Sequence, residues 1–227
     1  MISNKNIKKS GKTEAISMEK LVTIKLLKPK ADNEKSLFKA LQKRETIRDI
    51  SDKKLSLQML SNLLWAACGV NRKIGPFGIP SRTAATASNS QEIDLYVALP
   101  EGIYFYDPFQ HKLDPILAGD MRTLAIGKGQ VGFGDKAPIR FIYVADVDKL
   151  VNTKGFQEPG LQNPEVQKSY YFVDTGIIAG NVYLYAASQG LASWFHNCNK
   201  PELTAKLKLR KDQRILFGHT IGYPVKK

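Results

Sequence analysis

Between positions 44 and 48 the sequence alternates Arg44, Thr46 and Arg48 with Glu45 and Ile47. A spacing of two lets two guanidinium groups and a hydroxyl converge on one phosphate through charge-assisted hydrogen bonds and a neutral donor. A second stretch, Arg82-Thr83-Ala84-Ala85-Thr86-Ala87-Ser88-Asn89-Ser90-Gln91, offers one cation and a series of small polar groups ahead of a strand. A third, Phe195-His196-Asn197-Cys198, combines an aromatic ring, an imidazole, a carboxamide and a thiol beyond a long apolar segment. The sequence closes on Ile221-Gly222-Tyr223-Pro224-Val225-Lys226-Lys227, with two more cations at its end. Singly, these stretches have ordinary structural readings as surface charge, a small-residue turn and a partly buried thiol.

Regular elements must place them. Leu37, Phe38 and Leu41 fall at helical spacing between Ser36 and Arg44, with Asp32 or Asn33 as caps. Ser56 caps a second helix whose apolar face is Leu57, Leu60, Leu63, Leu64 and Ala67, and Gly69 suits a left-handed position after its end. Gly75 to Ser81 reads as a loop, and Ile93-Leu95-Val97 alternates into a hairpin that turns at Pro100-Glu101-Gly102 and returns through Ile103 to Tyr106. Arg140 to Ala145 and Ile215 to Ile221 read as buried strands. Tyr170 to Gln189 is apolar nearly all round, with Gly176 and Gly180 four apart and Gly190 just beyond. A helix of that kind belongs in the core of a protein or of a dimer. A last helix starts near Pro201 and carries Leu203, Leu207 and Leu209. This mixture predicts an α+β fold.

Several chemistries are excluded. Two distant cysteines, Cys68 and Cys198, make neither a disulfide scaffold nor a zinc ribbon, and three scattered histidines make no metal site. Gly127-Lys128-Gly129-Gln130-Val131-Gly132 matches GxGxxG, but it runs on into a strand instead of a helix and so fails the dinucleotide test. There is no nucleophile elbow and no Walker A motif. Glu101, Asp107, Asp114, Asp120 and Asp174 offer no evident acid–base pair; His111 reads as surface, and His219 and Cys68 as core. The 34 basic and 21 acidic residues give a net charge of +13. Much of the excess lies in the first thirty residues, which read as a solvated, flexible basic extension before a domain spanning 31–227. That distribution, without any basic helix interleaved with aromatics, argues against a nucleic-acid partner. Lys25 interrupts the apolar run at 21–27, and no stretch is long enough to span a membrane. The chain therefore reads as soluble and cytoplasmic.

In their order along the chain, the four stretches and the apolar helix segment resemble the FMN-dependent nitroreductase family. The family carries R-x-S-x-[RK] after its first helix, where Thr46 keeps the hydroxyl, and R-x-x-P-S-x-x-N-x-Q before a strand, where Asn89 and Gln91 match while Ala85 and Thr86 replace proline and serine. Asp174 to Gly176, Asn181 and the Gly190-Leu191 exit resemble its central helix. The hairpin at 101–108 is similar to the branch that includes azoline-forming oxidases.

The resemblance implies a three-layer nitroreductase-like fold: a central, mostly antiparallel sheet flanked by helices, with a buried central helix, in an intertwined homodimer with FMN at the interface. It implies a flavin phosphate held by Arg44, Thr46, Arg48, Lys226 and Lys227, with Glu45 also at the cofactor. Arg82, Phe195 and His196 would contact the flavin, and Thr86, Asn89 and Gln91 would act on the partner's. Where classical members have Pro-x-Glu-Gly, this chain has Phe195 to Cys198, so Asn197 and the Cys198 backbone N–H would stand near flavin N5 without a carboxylate. The implied activity is hydride transfer from NADH or NADPH through FMN to a small-molecule nitroaromatic or quinone. An azoline-type FMN oxidase, and a basic binding protein with a structural flavin or none, are the alternatives.

Overall fold

A computed structural model describes residues 21–30, 35–154 and 160–225. In chain order the elements are β1 (Ile24–Lys25), α1 (Leu37–Lys43), α2 (Leu57–Cys68), β2 (Val70–Arg72), β3 (Ser81–Arg82), β4 (Ile93–Leu99), β5 (Gly102–Asp107), β6 (Lys112–Ala118), β7 (Ile139–Asp146), α3 (Val147–Val151), α4 (Pro164–Gln189), β8 (Ala192–His196), α5 (Lys200–Lys206) and β9 (Gln213–Gly222). Seven strands form one sheet in the order β1-β6-β5-β4-β7-β9-β8, and every neighbouring pair is antiparallel. β2 and β3 form a separate ribbon.

The period of two along the central strands sorts side chains into two cores. Ile93, Leu95, Val97, Phe141, Tyr143 and Ala145 face α2 and α4. Tyr96, Ala98, Ile142 and Val144 face the opposite layer, with Leu203 of α5 and nearby Leu207. Burial on both faces explains why Arg140 to Ala145 reads as a continuous apolar run rather than an alternating one. The expected α+β, three-layer, antiparallel architecture is the one observed.

Local chemistry accounts for the helix ends. Ser36 and Ser56 cap α1 and α2 by accepting the N–H of Lys39 and Met59, each at 3.2 Å. The cap of α1 is thus Ser36; Asp32 and Asn33 lie outside the described residues. Gly190 ends α4 in the left-handed region, φ 68°. Gly69 does not behave as expected, since its backbone is extended. Glycine is required there by crowding: a Cβ would lie 2.5 Å from Trp65 Cδ1 and 2.7 Å from its Cα.

Three further sequence expectations change. Residues 21–30 are not all free arm, because β1 pairs with β6, Leu21, Ile24 and Leu26 pack on the core, and the Leu27 N–H donates to Ser61 Oγ at 2.9 Å. Lys25, which broke the apolar run, is the outward residue of that strand. His111 is half-buried rather than a free surface residue: its ring bonds Tyr106 Oη at 2.9 Å and the Leu27 carbonyl at 3.0 Å, and burial lowers its pKa. α4 buries one face, including Ile178, Ala179 and Val182, while Phe172, Val173 and Ile177 are exposed beside Gly176 and Gly180.

Close packing at β9 yields one stability test. A Cβ on Gly218 would fall against the Ala125 carbonyl oxygen and 2.6 Å from His196 Cε1. Gly218→Ala is expected to destabilise the chain by about 1–3 kcal/mol, as overpacking typically does. A lower urea midpoint is the expected readout; an unchanged one would show that the two layers can part.

Candidate functional site

Arg44 leaves α1 in extended conformation, φ −63° and ψ 117°, and the backbone alternates from there. Ile47 turns inward, packing with Ile50, Ala137 and Ala192, while its N–H donates to the Ser193 carbonyl at 3.2 Å. Arg44, Thr46 and Arg48 are left exposed. The Arg44 guanidinium lies 5.7 Å from the Tyr183 ring centroid and that of Arg48 lies 5.7 Å from Trp194. Both are cation–π contacts, which orient a guanidinium without neutralising it. No ion pair holds either arginine among the described residues.

The end of the chain arrives beside them. Pro224 bridges to Ile50, the Ser51 N–H donates to the Tyr223 carbonyl at 2.8 Å, and the Val225 N–H donates to the Asp49 carbonyl at 3.0 Å. A cleft of 870 Å³ opens here, walled by Thr46, Arg48, Gly132, Phe133, Gly134, Lys136 and Val225 among others. Glu45 lines it too. Lys226 and Lys227 lie outside the described residues; the chain before them forms the cleft wall. Phe133 packs edge-on against Trp194, with centroids 5.9 Å apart.

The glycine-rich run that failed the dinucleotide test is a wall of this region. Buried Arg140 holds it, donating to the Arg122 carbonyl and, at 2.8 Å, to that of Gly134. The Gly127 N–H donates to the Asn197 carbonyl at 3.0 Å, which joins the run to the third stretch. There Phe195 and His196 end β8. His196 points into the core, where it bonds Thr220 Oγ1 at 2.7 Å, and burial lowers its pKa to about 4. Asn197 is exposed, but its Oδ1 accepts the Cys198 N–H at 3.0 Å, so that backbone donor already has an intramolecular partner. Burial raises the Cys198 thiol to about 11, leaving it protonated near neutral pH.

The second stretch lies elsewhere in the chain, and none of its residues lines this cleft. Ser88, Asn89 and Gln91 hold positive φ values of 46°, 57° and 54°. The loop is shaped by its own polar groups. Thr86 Oγ1 accepts the Gln91 N–H at 3.0 Å, Asn89 donates to the Ile79 carbonyl at 3.3 Å, and Gln91 Nε2 donates to the Pro80 carbonyl and to Asn89 Oδ1. Arg82 lies 5.3 Å from the Phe109 centroid. Two buried atoms, Arg82 Nε and Gln91 Oε1, have no hydrogen-bond partner among the described residues. Beneath the loop, Asp174 of α4 accepts the Ala87 N–H at 3.0 Å and lies against fully buried Glu92. Burial first, then the Asp174 charge, pushes Glu92 up to about 8. Asp174, read from sequence as lacking a partner, therefore has a carboxylic one.

The structure thus brings together Arg44 to Arg48, the C-terminal strand end, the glycine-rich run and the Phe195–Cys198 stretch, but not the loop at 82–91. Sequence reasoning missed Tyr183, Trp194, Lys136 and Arg140. Only Lys136, an exposed cation directly after the glycine-rich run, carried a local signal.

Comparison with known proteins identifies the family and the fold. The Nitroreductase family model matches residues 41–223. A Methanocaldococcus jannaschii protein that bears a nitroreductase name is 30% identical over 160 residues, covering 67% of this chain and 74% of its own. A crystal structure from Ralstonia eutropha JMP134, also described as a nitroreductase, is 31% identical, covers 90% of each chain and superposes with a TM-score of 0.75. The Escherichia coli microcin synthetase complex, solved with a truncated pro-MccB17 bound, contributes a chain similar in fold at 16% identity, with 83% and 73% of the two chains covered and a TM-score of 0.63. The family is one of flavin-type oxidoreductases. The chain belongs to the nitroreductase family.

Proposed function

We propose that the chain is an FMN-dependent NAD(P)H oxidoreductase acting on a small organic acceptor. The observation that carries this reading is the exposure of Arg44, Thr46 and Arg48 along one extended segment, with Thr46 and Arg48 lining a cleft beside Val225 and neither guanidinium in an ion pair among the described residues. A dianionic phosphate fits that donor set. The chemistry FMN supplies when bound is two-electron transfer, from NADH or NADPH to a nitroaromatic or quinone in a ping-pong cycle.

The residues of this chain bind and orient. Arg44 and Arg48 supply charge, Thr46 a neutral donor, and Lys136 and the terminal Lys226 and Lys227 further positive potential. Phe133 lines the cleft, and Trp194, packed against it, orients the Arg48 guanidinium. Asn197 presents an exposed carboxamide where the reacting end of a flavin would lie, while the Cys198 N–H is turned toward Asn197 itself.

The exposed stripe of Phe172, Val173, Ile177, Gly176 and Gly180 suits a second copy of the chain. In such a homodimer the loop of Thr86, Asn89 and Gln91 serves the partner's cofactor, and the unpartnered Arg82 Nε and Gln91 Oε1 gain something to bond. Purified protein is expected to be yellow, or to become so with FMN, and its visible band should bleach anaerobically on addition of NADH or NADPH. Protein that stays colourless after FMN titration would overturn the proposal.

A further inference from the structure

We infer that Tyr183, on α4, is a positioning residue for anion capture, because it fixes the direction in which the Thr46 hydroxyl donates. The inference rests on the reading of Arg44 to Arg48 as a phosphate cradle. It begins with a group whose polarity is not in question. The Phe195 backbone N–H can only donate, and it lies 2.9 Å from Tyr183 Oη. The phenol oxygen therefore accepts there.

Its own proton is directed to its remaining recorded partner, Thr46 Oγ1, at 3.1 Å. With that oxygen accepting from Tyr183, the Thr46 hydrogen is turned away, toward the open side where Arg44 and Arg48 stand. The opposite polarity, with Thr46 donating inward, would leave the Tyr183 proton without a protein acceptor among the described residues. The chain N–H, phenol, threonine hydroxyl thus runs one way, from the strand to the cleft, and each bond polarises the next.

The same ring serves a second cradle residue. Tyr183 contacts both buried His219, with centroids 4.9 Å apart, and the Arg44 guanidinium at 5.7 Å. His219 is itself fixed, bonding Tyr143 Oη at 3.0 Å and Ser193 Oγ at 2.7 Å. The tyrosine ring is therefore held by the core while it orients two of the three anion donors. A phenylalanine would keep the ring contacts and lose only the hydroxyl.

The test is a pair of fluorescence titrations of the full chain, with FMN and with riboflavin, which lacks the phosphate. Tyr183→Phe should weaken FMN roughly 5- to 10-fold, the effect of one hydrogen bond, and leave riboflavin unchanged. Thr46→Val, at an exposed position, should do the same, and the double variant should be no worse than either single one. Equal losses for both flavins, or additive losses in the double variant, would reduce Tyr183 to a packing residue and overturn the inference. Should Tyr183→Phe fail to fold, an unaltered FMN-to-riboflavin ratio in Thr46→Val overturns it equally. If the unsubstituted chain binds neither flavin, the flavin reading itself fails. Titration with inorganic phosphate, followed by phosphorus NMR, then decides the Tyr183 assignment: weaker binding in Tyr183→Phe supports it and unchanged binding overturns it.

Discussion

Replacing both Arg44 and Arg48 with alanine is expected to weaken FMN binding by at least roughly 100-fold without unfolding the chain. A hydrogen bond to a charged group contributes about 1.5–3 kcal/mol, so two lost together amount to about 3–6 kcal/mol, or two to four orders of magnitude in affinity. The fold should survive because both side chains are exposed and touch only the faces of Tyr183 and Trp194. Flavin fluorescence titration gives the affinity, and a circular dichroism melt serves as the control. Wild-type affinity in the double variant would remove the cradle from the account. Each single variant should fall between the two, with the larger loss marking the arginine nearer the phosphate.

The second large effect is on stability above neutral pH. Glu92 is fully buried, and burial, reinforced by the Asp174 charge, pushes its pKa up to about 8. An acid whose pKa is higher in the folded chain binds more protons there than in the unfolded chain. Its contribution is complete below the unfolded value and is lost as pH rises through about 8. The chain should therefore lose about 2 kcal/mol between roughly pH 6.5 and 8.5 from this group.

Buried His196 and His219 act in the opposite direction. Their lowered pKa values withdraw stability as pH falls below the usual histidine range, where the gain from Glu92 opposes them, so the Glu92 effect stands alone only above that range. Glu92→Gln should flatten the alkaline limb and steepen the acid limb, where the gain from Glu92 no longer offsets the histidines, as read from urea midpoints across that range. An unchanged alkaline slope would mean that Glu92 is ionised and paired in the folded chain. Because Asp174 also holds the Ala87 N–H at 3.0 Å, this pair anchors the loop of Thr86 to Gln91 to α4, and the loop should loosen over the same pH interval.

What the sequence made legible follows from the range of each signal. Alternation of two marked β4, short apolar runs marked β7 and β9, and the leucine spacing marked α2, because these patterns are local. β6 was hidden by Pro115, which the sheet tolerates because β1 pairs only at Lys112 and Leu113 and because the register with β5 shifts nearby. β8 was hidden because its residues are buried almost without alternation. Gly69 looked like a left-handed helix end, whereas the constraint there is the bulk of Trp65.

The exposed alternation of the proposed cradle was legible. Arg44, Thr46 and Arg48 share a side simply because the segment is extended, and no distant contact is needed to align them. Tyr183 was not, since in a helix apolar all round a tyrosine looks like core, and its role comes from a strand that returns later in the chain. The Glu92–Asp174 pair escaped for the same reason: 82 positions separate two carboxylates that only the packing of α4 under the loop brings together. The lysines near the amino end show the converse error, in which composition suggested an arm and three apolar residues at 21–26 bound part of it to the sheet.

A crystal structure of the FMN complex tests the central claim most directly. The account predicts the phosphate oxygens within about 3 Å of the Thr46 hydroxyl and of the Arg44 and Arg48 guanidinium groups. A phosphate lodged instead beside the Gly127–Gly132 run, with both arginines still turned to solvent, would contradict it.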